Sequence, residues 1–385
     1  MPSFITRRLP VIFLVGSLIG IAAIILVPSW APFLQRFEHQ TADWRTSMFS
    51  DELAGSHPGV AVLLITDTTL QDQPYLLPPD RGLLARIVRA LDAAEPKAIG
   101  LDFYFTRRTE PAKDAELVAA LREAKALVVI GALDSRGKLG ERQQQVQREF
   151  AKDAGRPSGF INLRTEPDGI VRFRAGPAAD GEIPASFAEQ VAAAAGATAY
   201  EVEAPIAWLK APGKASPAFL TLPAEALLPG TEANKAAAER GDIARLKGKA
   251  VLIGGDIAFL DRHATPLSGK GSGTPGVFVH AQDVAQRLDG RPMHEWQTSS
   301  VRIALLAVAL AAAGLGWSFG VRHFNLIGWT AATAILVAVD ALVFYQLRTI
   351  LPFSLMLGAW GLGATAGRSL RLLAADEHND ERHET

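Results

Sequence analysis

Four long apolar runs constrain this chain more than any other feature of its sequence. The first, 11–27 (VIFLVGSLIGIAAIILV), would reach roughly 26 Å as a helix, near the lower limit for crossing a bilayer. Arg7 and Arg8 precede it and Trp30 follows. Its length, and the lack of a small-x-small cleavage site in PSWAPF, favour an uncleaved anchor over a signal peptide. The other runs are 303–321, 326–347 and 350–367, joined by the links RHFN and RT, which predict antiparallel neighbours. The excess of Lys and Arg on cytoplasmic flanks puts Arg7, Arg8, Arg322, Arg368 and Arg371 inside, with Arg348 as an exception. The predicted layout is a cytoplasmic 1–10, four transmembrane helices (11–28, 300–321, 326–347, 350–367) and a short cytoplasmic tail, 368–385. The large domain, 29–299, then lies on the periplasmic side of a bacterial inner membrane.

That placement decides how LIGGDIAFLDRHATP (252–266) is read. Its strand-Gly-Gly start could open a phosphate loop. It lacks the Lys-Ser/Thr of a P-loop and the third spaced glycine of a dinucleotide fold. A periplasmic domain also has no useful pool of nucleotide triphosphate. Gly254 and Gly255 are therefore read as letting the chain turn off the sheet at the lip of a pocket. With 385 residues, a net charge of −1 and no cysteine, the chain offers neither a basic nucleic-acid surface nor disulfides nor thiolate metal sites.

Within 29–299, strand-like and helix-like runs alternate. VAVLLIT (60–66), KAIGLDFYF (97–105), ALVVIGAL (126–133) and KAVLIGGD (249–256) read as strands buried on both faces. Helices are predicted from the N-cap Asp80, over 112–124, over 183–196 and over 276–290. This order predicts an α/β fold, a mainly parallel sheet with helices on both faces. Residues 134–156, charged and Gln-rich, read as a mobile excursion; 158–176 reads as a hairpin turning at Pro167-Asp168-Gly169; 197–245 gives no clear pattern.

Asp67 and Asp102 close predicted strands, and Asp256 holds the corresponding place after the strand of the 250s. In an open α/β sheet the crevice beyond the strands' carboxyl ends is the usual ligand site. Three carboxylates there, with Asp261 beside them, suit a cation or an amine-bearing ligand; capping of local backbone is the alternative. Arg45 and Arg81 are candidates to pair with those acids or to hold an anion, a structural ion pair being equally compatible. His263 and His280 are weak zinc candidates, because no recognised ligand spacing surrounds them. No nucleophile is set beside a base, so a binding module ranks above an enzyme, and no cofactor is implied. Asp340 interrupts an apolar helix at a cost of about 2.5–3.5 kcal/mol, marking a candidate coupling or assembly contact, or a carboxylate leaning towards Arg348. The spacings Gly16-x-x-x-Gly20, Gly316-x-x-x-Gly320 and Gly363-x-x-x-Gly367 allow close helix packing, within one chain or in a homodimer; packing within the chain is the simpler reading.

Over about 40–300 the ordered set DWR (43–45), LLITDTTL (63–70), PPDRGLLARIVRAL (78–91), AIGLDFYF (98–105), PDGIVRFRA (167–175), VLIGGDIAFLDRHATP (251–266) and TPGVFVHAQ (274–282) resembles the type-two CHASE domain, a sensory extracellular module associated with cyclases and histidine kinases. One membrane helix before the domain and three after it match that family's usual layout. Two tryptophans that the family often carries are absent at LLPPDRG (76–82). The resemblance implies an extracellular sensor, and 368–385 is too short for a kinase or cyclase core. The expected protein senses a periplasmic ligand or protein and signals through a separate partner. A docking subunit of an envelope complex is the alternative, and a metal-dependent periplasmic hydrolase a third reading.

Overall fold

The computed structural model describes residues 2–26, 32–71, 73–75, 77–179, 181–198, 204–211, 213, 217–258, 260–296, 298–318 and 326–384. It divides into two units, 50–293 and the pair of segments 1–49 and 294–385. Elements are numbered along the whole chain.

In the 50–293 unit, six strands form one parallel sheet: β1 (Val60–Thr66), β2 (Ala98–Leu101), β3 (Leu127–Ala132), β4 (Ser158–Phe160), β7 (Leu220–Pro223) and β8 (Ala250–Asp256). Their order is β4-β3-β2-β8-β1-β7. The chain leaves β1 to one side, returns through β7 on the other, and inserts β8 last. Two antiparallel hairpins, β5 (Arg164–Thr165) with β6 (Val171–Phe173) and β9 (Arg262–Thr265) with β10 (Gly269–Pro275), stand outside the sheet. The helices are α3 (Asp67–Leu70), α4 (Arg81–Ala93), α5 (Pro111–Glu123), α6 (Glu141–Ala154), α7 (Phe187–Ala194), α8 (Glu232–Glu239) and α9 (Gly276–Asp289).

Alternation along the strands sends side chains to two cores. Leu63, Ile65, Ile99, Leu101, Val251 and Ile253 pack against Leu84, Ile87 and Leu91 of α4 and Leu117 and Leu121 of α5. Val60, Val62, Val129 and Leu252 face Phe187 and Val191 of α7 and Val277, Ala281 and Val284 of α9. The predicted α/β sheet, covered on both faces, is present. Asp80 caps α4 as read from the sequence, its carboxylate accepting from the Leu83 N–H at 2.9 Å while it pairs with Lys113 Nζ at 2.5 Å. Asp80→Ala should cost about 1 kcal/mol through the lost cap, a change that a denaturant midpoint resolves.

Three sequence readings are corrected. Residues 134–156 are no excursion: α6 places Gln147, Phe150 and Ala154 on one buried face, and Phe150 stacks on Phe105 with ring centroids 4.1 Å apart. Gly254 and Gly255 do not turn the chain; both remain in β8, paired with Leu64 and Ile65 of β1. A methyl group on Gly254 would sit 2.5 Å from the Val277 Cβ, so this glycine lets α9 lie close on the sheet.

The third correction concerns the helical unit. It comprises α1 (Pro2–Leu26), α2 (Pro32–Phe49), α10 (Thr298–Ser318), α11 (Leu326–Leu347) and α12 (Phe353–Glu384), with a short parallel pairing of β11 (His294–Glu295) and β12 (Thr349–Ile350). Among the described residues three helical segments, not four, are long and apolar enough to cross a membrane: Arg8–Leu26, Thr298–Ser318 and Thr330–Leu347. The predicted span 350–367 begins in β12, reaches Pro352 and becomes helical only at Phe353. Arg368 then leaves an apolar helix of about 15 residues, roughly 22 Å and glycine-rich, short of a bilayer core. Four crossings therefore no longer fix both termini on one side. The link containing Arg322, together with Trp30 and Gly320, lies outside the described residues.

The small-residue spacing on α12 is used inside the chain. A methyl group on Gly363 or Gly367 would collide with the carbonyl oxygens of Ala309 and Ala313 on α10, and one on Gly316 with that of Ala364.

Candidate functional site

The strand order leaves a crevice of about 690 Å³ at the carboxyl ends of β2, β3 and β8. Asp102 directly follows β2, Leu133 follows β3, and Gly255 and Ile257 close β8. The walls also include Phe103, Phe105, Ile161, Leu163 and Leu260; His280 reaches in from the first turns of α9. This is where an open parallel sheet, its order reversing around β8, presents loops rather than helices.

Asp102 lies deep in this crevice, its side chain 4% exposed. Among the described residues its carboxyl makes no hydrogen bond, and its charged-group neighbour is His280 Nε2, at 3.7 Å. Burial pushes the Asp102 carboxyl well above the usual carboxylate range, and the Asp261 charge adds to the shift. Burial likewise lowers the His280 imidazole to about 4, against the opposing pull of Asp261 and Asp283, so the ring is neutral at neutral pH. His280 also packs edge-on against Phe187, centroids 5.3 Å apart.

Asp261 behaves differently. Burial would raise its carboxyl, but a hydrogen bond with His263 Nε2 at 2.9 Å, the nearby histidines and the Gly276 N–H hold it below the ordinary range. Its side chain is 56% exposed, which places the more acidic carboxyl towards the mouth and the one that burial raises in the depth. Its backbone takes a left-handed φ of +46°, and its carboxylate lies over Gly276, where a side chain would clash.

Of the sequence candidates, Asp102, Asp261, Arg81 and His280 line this crevice, and His263 touches it through Asp261. Arg81 is bound to its surroundings: its guanidinium donates to Asp114 Oδ1 at 2.6 Å and to the Arg107 carbonyl, and lies over the rings of Phe105 and Phe150. Asp67 and Asp256 do not line it. Asp67 opens α3 and accepts from the Ala258 N–H at 3.2 Å, and Asp256 pairs with Arg262. Asp67 thus makes a backbone contact of the kind that competed with ligand binding in the sequence, and Asp256 a side-chain ion pair. Among the described residues no group of three or more His, Asp or Glu side chains is arranged to hold a metal ion. Leu139 and Gln143, which also line the crevice, come from the segment read as an excursion. The spacing of Gln147, Phe150 and Ala154, ended by Gly155, was the signal that could have found that helix.

In the helical unit, Arg45 of α2 donates through Nη1 to both carboxylate oxygens of Asp340 on α11, each at 2.7 Å, and through Nη2 to the Leu351 carbonyl at 3.1 Å. Asp340 therefore meets Arg45 rather than leaning towards Arg348, and Arg45 pairs with none of the strand-end acids.

The chain thus combines a doubly wound α/β unit that has a loop-lined crevice with three apolar helical segments long enough to cross a membrane. The family model of the CHASE2 domain matches residues 18–316. The chain belongs to the CHASE2 family, whose domains are sensory and extracellular. Comparison with curated proteins and with solved structures gave no match.

Proposed function

We propose that this chain is a sensor of the cell envelope: its α/β unit lies outside the cytoplasm, binds a small ligand in the crevice beyond β2, β3 and β8, and hands the signal to a partner protein through the helices in the inner membrane. The observation that carries the reading is the crevice itself, which has a volume usual for small-molecule sites, apolar walls and a buried carboxyl without a hydrogen bond. Family membership supports the sensory role, and the three apolar segments support membrane attachment. No catalytic step enters the reading. Signalling requires the ligand to bind two arrangements of the protein with different affinity, since equal binding shifts nothing.

The full chain in detergent, screened against small metabolites by thermal shift, should yield ligands that raise the melting temperature. That rise should shrink in Asp102→Asn and persist in Asp67→Asn, because Asp67 stands outside the crevice. Equal binding by both variants would remove the site assignment. A stoichiometric protein partner that co-purifies, with no small ligand bound, would favour the docking-subunit reading. A reporter inserted in the exposed turn at Gly230 should be active only outside the cytoplasm; cytosolic activity would reopen the nucleotide reading of 252–266.

A further inference from the structure

We infer that the crevice selects ligands that carry a protonated amine on an apolar or aromatic body, with Asp102 as the buried counter-group and Asp261 as the acid at the mouth. The inference rests on the crevice being the sensing site.

A buried polar group left without a partner costs more than a made hydrogen bond returns, so such groups mark places where something else supplies the partner. Asp102, its side chain 4% exposed and without a hydrogen bond among the described residues, lines a space large enough for an organic molecule. Phe103, Phe105, Ile161, Leu163, Ile257 and Leu260 give the body of such a molecule an apolar enclosure. An ammonium brings three donors and a positive charge, and charge-assisted hydrogen bonds to a carboxylate are about twice as strong as neutral ones. An alcohol can satisfy the hydrogen bond but gains nothing from the Asp261 charge. A carboxylate ligand would place a third acid beside Asp102 and Asp261. Neither lining arginine reverses this preference in the depth: Arg81 is tied to Asp114, and Arg107 is exposed. His280, buried and neutral, offers no positive charge there.

The amine arrives already protonated, and its charge favours the ionised form of Asp102. Where the carboxyl holds its proton, formation of the carboxylate–ammonium pair releases that proton to solvent. Binding and proton release are linked, which provides a readout specific to Asp102.

The test is titration calorimetry of the full chain in detergent with 2-phenylethylamine, 2-phenylethanol and 3-phenylpropanoate, at neutral pH, in two buffers of different ionisation heat. The amine should bind at least about tenfold more tightly than the alcohol, with net proton release. Asp102→Asn should abolish both the preference and the release, and Asp261→Asn, at an exposed position, should reduce the preference in a variant whose core is untouched. Leu163→Trp, which fills the crevice, should abolish binding of every probe that enters it. Alcohol or carboxylate binding as well as the amine, lost in Leu163→Trp, overturns the ligand class and leaves the sensing crevice standing. An amine preference that survives Asp102→Asn also overturns the class. Probes that bind regardless of Leu163→Trp, or no saturable binding by any of them at millimolar concentration, overturn both.

Discussion

Replacing Arg45 with methionine is expected to destabilise the helical unit by about 3–5 kcal/mol, the range found when one partner of a buried ion pair is removed. Arg45 is 1% exposed and Asp340 6%. Nη1 alone meets both Asp340 oxygens and Nη2 meets the Leu351 carbonyl, so one guanidinium serves two parts of the unit, while its Nε has no hydrogen-bond partner among the described residues. Without Arg45, Asp340 is left as a carboxylate within an apolar helix and the Leu351 carbonyl loses its donor. Glu38, 3.5 Å from Arg45 Nη2, adds a third element: its carboxylate accepts from the N–H groups of Phe353 and Ser354 at 2.9 and 3.0 Å, capping the start of α12. One arginine thus ties α2 to α11 and, through Glu38, to α12. Arg45→Lys should fall between wild type and methionine, since one ammonium can meet Asp340 but brings no second nitrogen for the Leu351 carbonyl. The double variant Arg45→Met/Asp340→Leu should recover most of the loss, because apolar groups of similar size can replace a buried pair at little cost. Thermal or denaturant unfolding of the full chain in detergent measures all three. A double variant no more stable than Arg45→Met would show that the pair is not the source of the effect.

The same pair shows where sequence reading ends. Asp340 was conspicuous because an acid in an apolar run is costly, and Arg45 because it lies in a family-like motif, but 295 positions separate them. No local pattern joins such residues; only tertiary packing does. Local physics carried further in the α/β unit. The β-branched runs of β1 and β8 and the cap at Asp80 are short-range features, and the parallel sheet they predict is present, whereas β4 and β7 fall in stretches read as a hairpin and as without pattern. Readings failed where one residue type serves two purposes. Gly254 suits a turn, but it also suits close approach of a helix, and Val277, more than twenty residues on, decides between them. The Gln-rich stretch of α6 hid a buried face because Gln147 sits on it and turns its amide to the Leu133 backbone. In the crevice, sequence placed acids at strand ends correctly but could not rank them. Asp102 and Asp256 both end strands; Asp256 meets Arg262, whereas Asp102 meets no donor, and that difference belongs to the loops. The apolar count likewise favoured a fourth span, which the late helix start at Phe353 shortens.

Acid should act on this crevice in two opposite ways, and single substitutions should separate them. The His280 imidazole ordinarily takes up a proton near 6.5, but in the fold only at about 4, because charging it means burying a cation. The stability it contributes is complete above 6.5 and is lost as pH falls between 6.5 and about 4, on the order of 3 kcal/mol in total. Asp102 runs the other way. Its folded carboxyl keeps its proton to higher pH than the unfolded one, so its contribution is complete below 3.8 and declines as pH rises through the folded value. Between pH 4 and 6.5 the two partly cancel, leaving the wild-type protein with a shallow slope. Asp102→Asn removes one arm and should lose stability on acidification more steeply than wild type, while being more stable than wild type at neutral pH. His280→Gln removes the other and should lose less stability, or gain it, over the same interval. Asp261, Asp283 and His263, the charged neighbours acting on His280, are present in all three proteins. Denaturant midpoints followed across that interval decide the matter: three parallel curves would mean that neither buried group titrates as its surroundings require.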